Sequence, residues 1–204
     1  MDHILITGTG RAGTSFLVQL FTALELDTGY SSLEDCRKHM DDTAHAGLEY
    51  HGKRPAPYIV KSTHLGASLD PPLWFADMKL EHAFVCVRTL RDAANSRRRC
   101  HFARKGEDAV RGVPGGLIGT TVPEEQEDVL LMRQWDLLLL LAERRCPVTV
   151  LKYPRMVQDI NYLHSKIVEG VRGEDETINV GRFRDAYDRT VQPQWIHQQE
   201  EEVK

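Results

Sequence analysis

The feature that most constrains this chain is a glycine-rich hexapeptide, Gly8-Thr9-Gly10-Arg11-Ala12-Gly13. It follows a strand-sized apolar run, His3 to Thr7. Beyond it, from Thr14 to Leu24, Phe16, Leu17, Leu20, Phe21 and Leu24 recur at helical spacing. The order is therefore strand, glycine turn, helix. Such a turn lets backbone N–H groups close in on an anion, and the helix start adds about half a positive charge. Gly8 and Gly13 have the spacing of the nucleotide loop G-x-x-x-x-G-K-[ST], but Thr14 stands where that loop has lysine. The glycines also fit G-x-G-x-x-G, yet Asp27 is followed by polar turn residues and ends no strand, as a dinucleotide site would require. The positive side chain of the loop is Arg11.

Three further apolar runs read as strands: Tyr58 to Lys61, Ala83 to Val87 and Val148 to Leu151. Helical patterns run from Leu90 to about Arg104, from Glu124 to Arg145 and from Met156 to Val171. Strands alternating with helices predict an α/β fold, a three-layer P-loop type with a parallel central sheet flanked by helices. The polar stretches 27–57 and 105–123 read as loops over one edge of the sheet, and loops at strand ends carry substrate contacts. The 204 residues fit one domain, with a charged tail from 198 to 204 that reads as frayed.

Charge narrows the partners. The net charge of −4 argues against a general nucleic-acid binder, although Arg97-Arg98-Arg99 and Arg104-Lys105 leave room for a local anion site. Arg97, Arg98 and Arg99 are spread around a helix, so at least one faces solvent. The greasiest segment, Leu137 to Ala142, is bounded by Asp136 and Glu143 and is far too short for a membrane helix. Leu137 to Leu141 reads as core, with a partner or homodimer surface as the second reading. The N-terminus lacks a basic segment and an apolar signal stretch, and no two cysteines form C-x-x-C. A cytoplasmic protein with reduced thiols is the expectation.

Several segments carry a resemblance. Arg11-Ala12-Gly13-Thr14-Ser15 resembles the 5′-phosphosulfate loop, [K/R]-S-G-T-[T/S], of sulfotransferases that use 3′-phosphoadenosine 5′-phosphosulfate (PAPS). Val87-Arg88-Thr89-Leu90-Arg91-Asp92-Ala93-Ala94-Asn95-Ser96 is similar to that family's 3′-phosphate motif, R-x-x-[R/K]-D-x-x-x-S, with Arg88, Arg91, Asp92 and Ser96 in register. An arginine at a strand end can grip a phosphate bidentately, and a serine on the next helix adds a hydroxyl donor. Val148 to Asp159 resembles a later strand-and-turn segment, with Pro154-Arg155 in place of an acidic pair. Gly181-Arg182-Phe183-Arg184 looks like the G-R-W-R stretch of bacterial members, which implies that Arg182 contacts the cofactor. The resemblance spans most of the chain and implies a compact bacterial-type sulfotransferase. Arg11, Ala12, Gly13, Thr14, Ser15, Arg88 and Ser96 would bind PAPS, with its bisphosphate product leaving and no metal required.

The same resemblance supplies catalytic candidates. Lys61-Ser62-Thr63-His64-Leu65 is similar to the family segment K-T-H-L, whose lysine aids sulfuryl transfer and whose histidine takes the acceptor proton. Here one residue is inserted. Residues three apart on a regular strand point to opposite faces, so either the strand ends near Ser62 or only one of Lys61 and His64 works. A carboxylate base is the alternative, from Glu34, Asp35, Asp41 or Asp42. His39, His45 and His51 fit no common ligand spacing and read as solvated loop residues. Arg11, with Lys61, would stabilise the leaving group. The acceptor is expected to be a hydroxyl or amine of a small molecule or carbohydrate, with no nucleic acid or membrane partner. Two rivals remain open: a P-loop kinase using ATP and magnesium, and a non-catalytic nucleotide-binding module.

Overall fold

Alternation along each strand divides its side chains between two faces, and both faces need cover. In β1 (His3–Gly8), Ile4 and Ile6 enter one core and Leu5 the other, all fully buried. In β3 (Leu80–Val87), Phe84 and Cys86 join the first core, Ala83 and Val85 the second. With β2 (Ile59–Lys61) and β4 (Val148–Lys152) these strands form one sheet, ordered β2-β1-β3-β4 and parallel throughout. The computed structural model describes residues 2–42, 44–52, 55–65, 73–103, 115–171 and 178–193.

Helices cover both faces. The first core is closed by α1 (Thr14–Ala23), α6 (Ile160–Gly170) and α7 (Val180–Thr190), through residues such as Leu17, Leu163 and Phe183. The second is closed by the short α3 (Leu73–Ala76) and by α5 (Gln126–Glu143), through Phe75, Leu137 and Leu141. α4 (Leu90–Ala103) meets α5 where Ala93 and Ala94 pack on Leu130. The architecture is α/β: a four-stranded parallel sheet flanked by helices.

Several elements differ from the sequence reading. Within 27–57 lies α2 (Leu33–Lys38), started by Ser32, whose hydroxyl accepts the Asp35 N–H at 3.1 Å. Acids at its first turn and bases at its last suit the helix dipole. α3 and α7 were not anticipated. α7 begins at Asn179, which accepts the Arg182 N–H at 3.1 Å. A 3-10 turn, Arg155–Val157, precedes α6, because Asp159 caps that helix by accepting from Tyr162 N–H at 2.9 Å. The end expected for α4 at Arg104, the pair Arg104-Lys105, part of the 105–123 loop and the tail 198–204 lie outside the described residues.

β4 is an edge strand, and it leaves Val148 and Val150 exposed. The Tyr162 hydroxyl accepts the Lys152 N–H at 3.0 Å and so closes part of that edge. None of the described helices is long and apolar enough to cross a membrane. All four cysteines are buried free thiols.

Candidate functional site

Because the strands are parallel, β1, β2, β3 and β4 all finish at one edge, at Gly8, Lys61, Val87 and Lys152. A cavity of about 680 Å³ opens there. Such strand ends are where open α/β sheets place ligands.

The glycine loop lines it. Gly8 has φ of 138°, and a Cβ there would lie 2.3 Å from the Cys86 carbonyl oxygen of the neighbouring strand. Only glycine permits that approach. Gly13, at φ 86°, delivers the chain into α1, and no side chain caps the start of that helix. Its N-terminal N–H groups are thus left to the loop and the cavity. Arg11 is also left-handed, at φ 58°, an uncommon state for a residue with a side chain.

Two segments far apart in sequence meet at Arg11. Its Nε donates to Ser96 Oγ at 3.0 Å, and its Nη1 donates to the Ala44 carbonyl. Arg88 lies over the Tyr153 ring, 5.0 Å from its centroid, and donates to the Arg11 carbonyl at 3.5 Å. Ser96 and Arg97 are both buried. Arg97 donates to the carbonyls of Thr9 and Gly116, the latter at 2.8 Å, and so ties the glycine loop to α4. Burial, then the nearby Arg11 and Arg133, pull its guanidinium down to about 10. The three consecutive arginines divide as the helix demands. Arg97 is buried, Arg98 is half-buried with Nε donating to the Pro123 carbonyl at 2.7 Å, and Arg99 is exposed.

The second wall is built on the end of β2. The strand stops at Lys61, and Ser62 N–H makes the last rung of the ladder, to the Ile6 carbonyl at 3.0 Å. That ending resolves the inserted residue: Lys61 and His64 both line the cavity. Lys61 Nζ is buried, 2.9 Å from Glu49 Oε1, and donates to Ser15 Oγ at 2.9 Å and to the Gly47 carbonyl. Glu49 also accepts from Thr63 N–H at 2.9 Å and from the Thr63 hydroxyl at 3.0 Å. Burial alone would raise the Glu49 carboxyl; Lys61, with these hydrogen bonds, outweighs it and holds the carboxyl below its ordinary value. His64 sits at the rim with one side open to solvent. Partial loss of solvent, aided by Arg133, His51 and Lys61, lowers its imidazole against the opposing pull of Glu49. Its neutral form therefore prevails at pH 7.

Glu49 is the residue that sequence reading missed. Nothing in the polar stretch 27–57 distinguishes it. The Tyr50 N–H donates to the Lys61 carbonyl at 2.8 Å, and this long-range contact sets Glu49 beside Lys61. Of the four acids considered, Asp41 lines the cavity and accepts Ala44 N–H at 2.7 Å. Glu34 pairs with Lys38 at 2.8 Å, and Asp35 accepts Ser31 N–H at 2.9 Å. Neither these two nor Asp42 lines the cavity. His39, His45 and His51, read as solvated loop residues, do line it. Ala12 is fully buried and faces the first core. Arg182 stands outside the cavity lining, paired with Glu25 at 2.8 Å.

The lining thus carries the cations Arg11, Lys61, Arg88 and Arg97 against the carboxylates Asp41 and Glu49. Both Glu49 oxygens are already engaged. Cations therefore outnumber carboxylates around the cavity, a balance that favours anions over cations. No protein-family model matches the chain, and no curated protein matches it.

Proposed function

We propose that this protein is a sulfotransferase that moves the sulfuryl group of PAPS to a hydroxyl or amine of a small-molecule or carbohydrate acceptor. The observation that carries the reading is the 3.0 Å hydrogen bond from Arg11 to Ser96. It joins the two segments that resemble the 5′-phosphosulfate loop and the 3′-phosphate motif, in one cavity with an excess of cations. The uncapped start of α1 and the guanidinium of Arg88 fit a bisphosphate whose two anionic groups lie apart. Arg11, Thr14 and Ser15 would hold the 5′ side, and Arg88 and Ser96 the 3′ phosphate.

PAPS supplies an activated sulfuryl group for in-line displacement at sulfur. Lys61 stands beside Ser15 of the loop, where its ammonium neutralises charge growing on a leaving oxygen. Glu49 keeps Lys61 in that place and is a positioning residue. His64, neutral at pH 7, takes the proton of the acceptor. As a general base it contributes about 10²–10⁴-fold. A magnesium-dependent kinase would want an acid where a core strand ends, but β2 ends in Lys61 and β3 runs into Arg88.

Thermal unfolding with adenosine 3′,5′-bisphosphate, beside ATP with magnesium, tests the reading. At about 100 times its Kd the bisphosphate should add roughly 2.7 kcal/mol and raise Tm by several degrees. Arg88→Ala should abolish that shift. A shift with ATP and magnesium alone would replace this reading with a kinase. If PAPS turnover is found, its rate should fall as pH drops through the His64 pKa, below 6.5. His64→Ala should lose that acid limb while still binding the bisphosphate.

A further inference from the structure

Helix α5 buries one stripe and exposes another. Leu130, Leu137 and Leu141 face α4 and the sheet. On the far side Leu131, Met132, Trp135, Leu138 and Leu139 are 55, 65, 63, 39 and 47% exposed. At about 3.6 residues per turn these five share an arc of roughly 120°. A solvent-facing arc ordinarily carries charge. Met132, Trp135 and Leu139 are spaced by three and four, the spacing of a helix that packs along another helix.

Area and charge order identify what covers it. The five side chains expose on the order of 500 Å² of apolar surface, near the top of the range for a monomer's largest patch. Two such faces together bury roughly 1,000 Å², the lower bound for a specific interface. Asp128 is exposed in the first turn of the helix and Arg145 is exposed just past its end, beside Glu143, whereas Glu127 pairs with Arg98 and Arg144 lies over Phe75. A neighbour that runs the opposite way brings acid to base and opposes the two helix dipoles. A second copy related by a two-fold axis supplies that polarity by symmetry.

We propose that the exposed face of α5 is the contact of a two-fold homodimer, with the two α5 helices antiparallel and centred on Trp135. In this register Leu131 lies opposite the copy's Leu139, and Met132 opposite its Leu138. Asp128 falls beside the copy's Ala142, within a turn of its Arg145. The dimer contact is independent of what the cavity binds, so it stands or falls apart from the sulfotransferase reading.

Sedimentation of the full chain across about 1–100 µM tests it, and the mass should pass from monomer to dimer. Trp135→Glu should weaken the dimer at least about 30-fold, since a central tryptophan is the type of residue that dominates an interface. The change should leave Tm of the monomer unaltered, because the side chain is exposed; Leu139→Lys is a second variant of the same kind. Arg145→Glu should weaken association, and adding Asp128→Arg should restore it. A monomer throughout the range overturns the proposal, as does a dimer indifferent to Trp135→Glu and Leu139→Lys. Failure of the double reversal to restore association overturns the antiparallel register.

Discussion

Lys61 illustrates what a buried charge demands. Its ammonium is held by Glu49, Ser15 and Gly47, all supplied from other parts of the chain. Removing one member of such a pair leaves the other charge buried alone. Glu49→Gln should therefore cost about 3 kcal/mol at pH 7 in urea unfolding, and Lys61→Met added to it should recover part of the loss. The pH dependence has a definite sign. Glu49 titrates lower in the folded protein than its ordinary 4.5, so its contribution is complete above that value and is lost as pH falls through the folded pKa. In Glu49→Gln the part of the acid limb due to this group should vanish. Wild type and variant should differ most near neutrality and converge in acid.

Among the elements, the glycine loop is under the tightest steric rule. A methyl group at Gly8 would sit 2.3 Å from the Cys86 carbonyl oxygen, in a backbone state that side chains disfavour. Gly8→Ala should cost about 3 kcal/mol or more, read as a lower urea midpoint, because strands β1 and β3 would have to part. This element was legible from sequence, since glycine spacing and the apolar runs around it are local signals. So were β3 and the extent of α5. The helices α2, α3 and α7 were not. They are short or polar: α2 and α7 depend on the caps Ser32 and Asn179 and on packing against α1, and α3 on burying Phe75 in the second core. The run Leu137 to Leu141 shows the limit of reading hydrophobicity alone. Leu137 and Leu141 are core, whereas Leu138 and Leu139 are exposed, and only the sheet below fixes which is which.

At the scale of the whole molecule, the site is a product of parallel topology. Four strand ends at one edge gather Arg11, Lys61, Arg88 and Ser96 from segments up to 85 residues apart. The motifs named most of these residues. They could not name Glu49, whose place follows from a single backbone contact between Tyr50 and Lys61. Nor could they show that Arg182 pairs with Glu25 away from the cavity. The segment 44–47 has a consequence of its own. Its Ala44 carbonyl accepts from Arg11, and its Gly47 carbonyl accepts from both Lys61 and Ser15. Peptide oxygens thus already occupy donors that an incoming anion would use. Under the proposed function, binding there would be an exchange of partners rather than the filling of a vacancy, with the anion competing against the protein's own backbone. By reciprocity, whatever loosens 44–47 would then tighten the grip on that anion, although no residue of that segment need touch it.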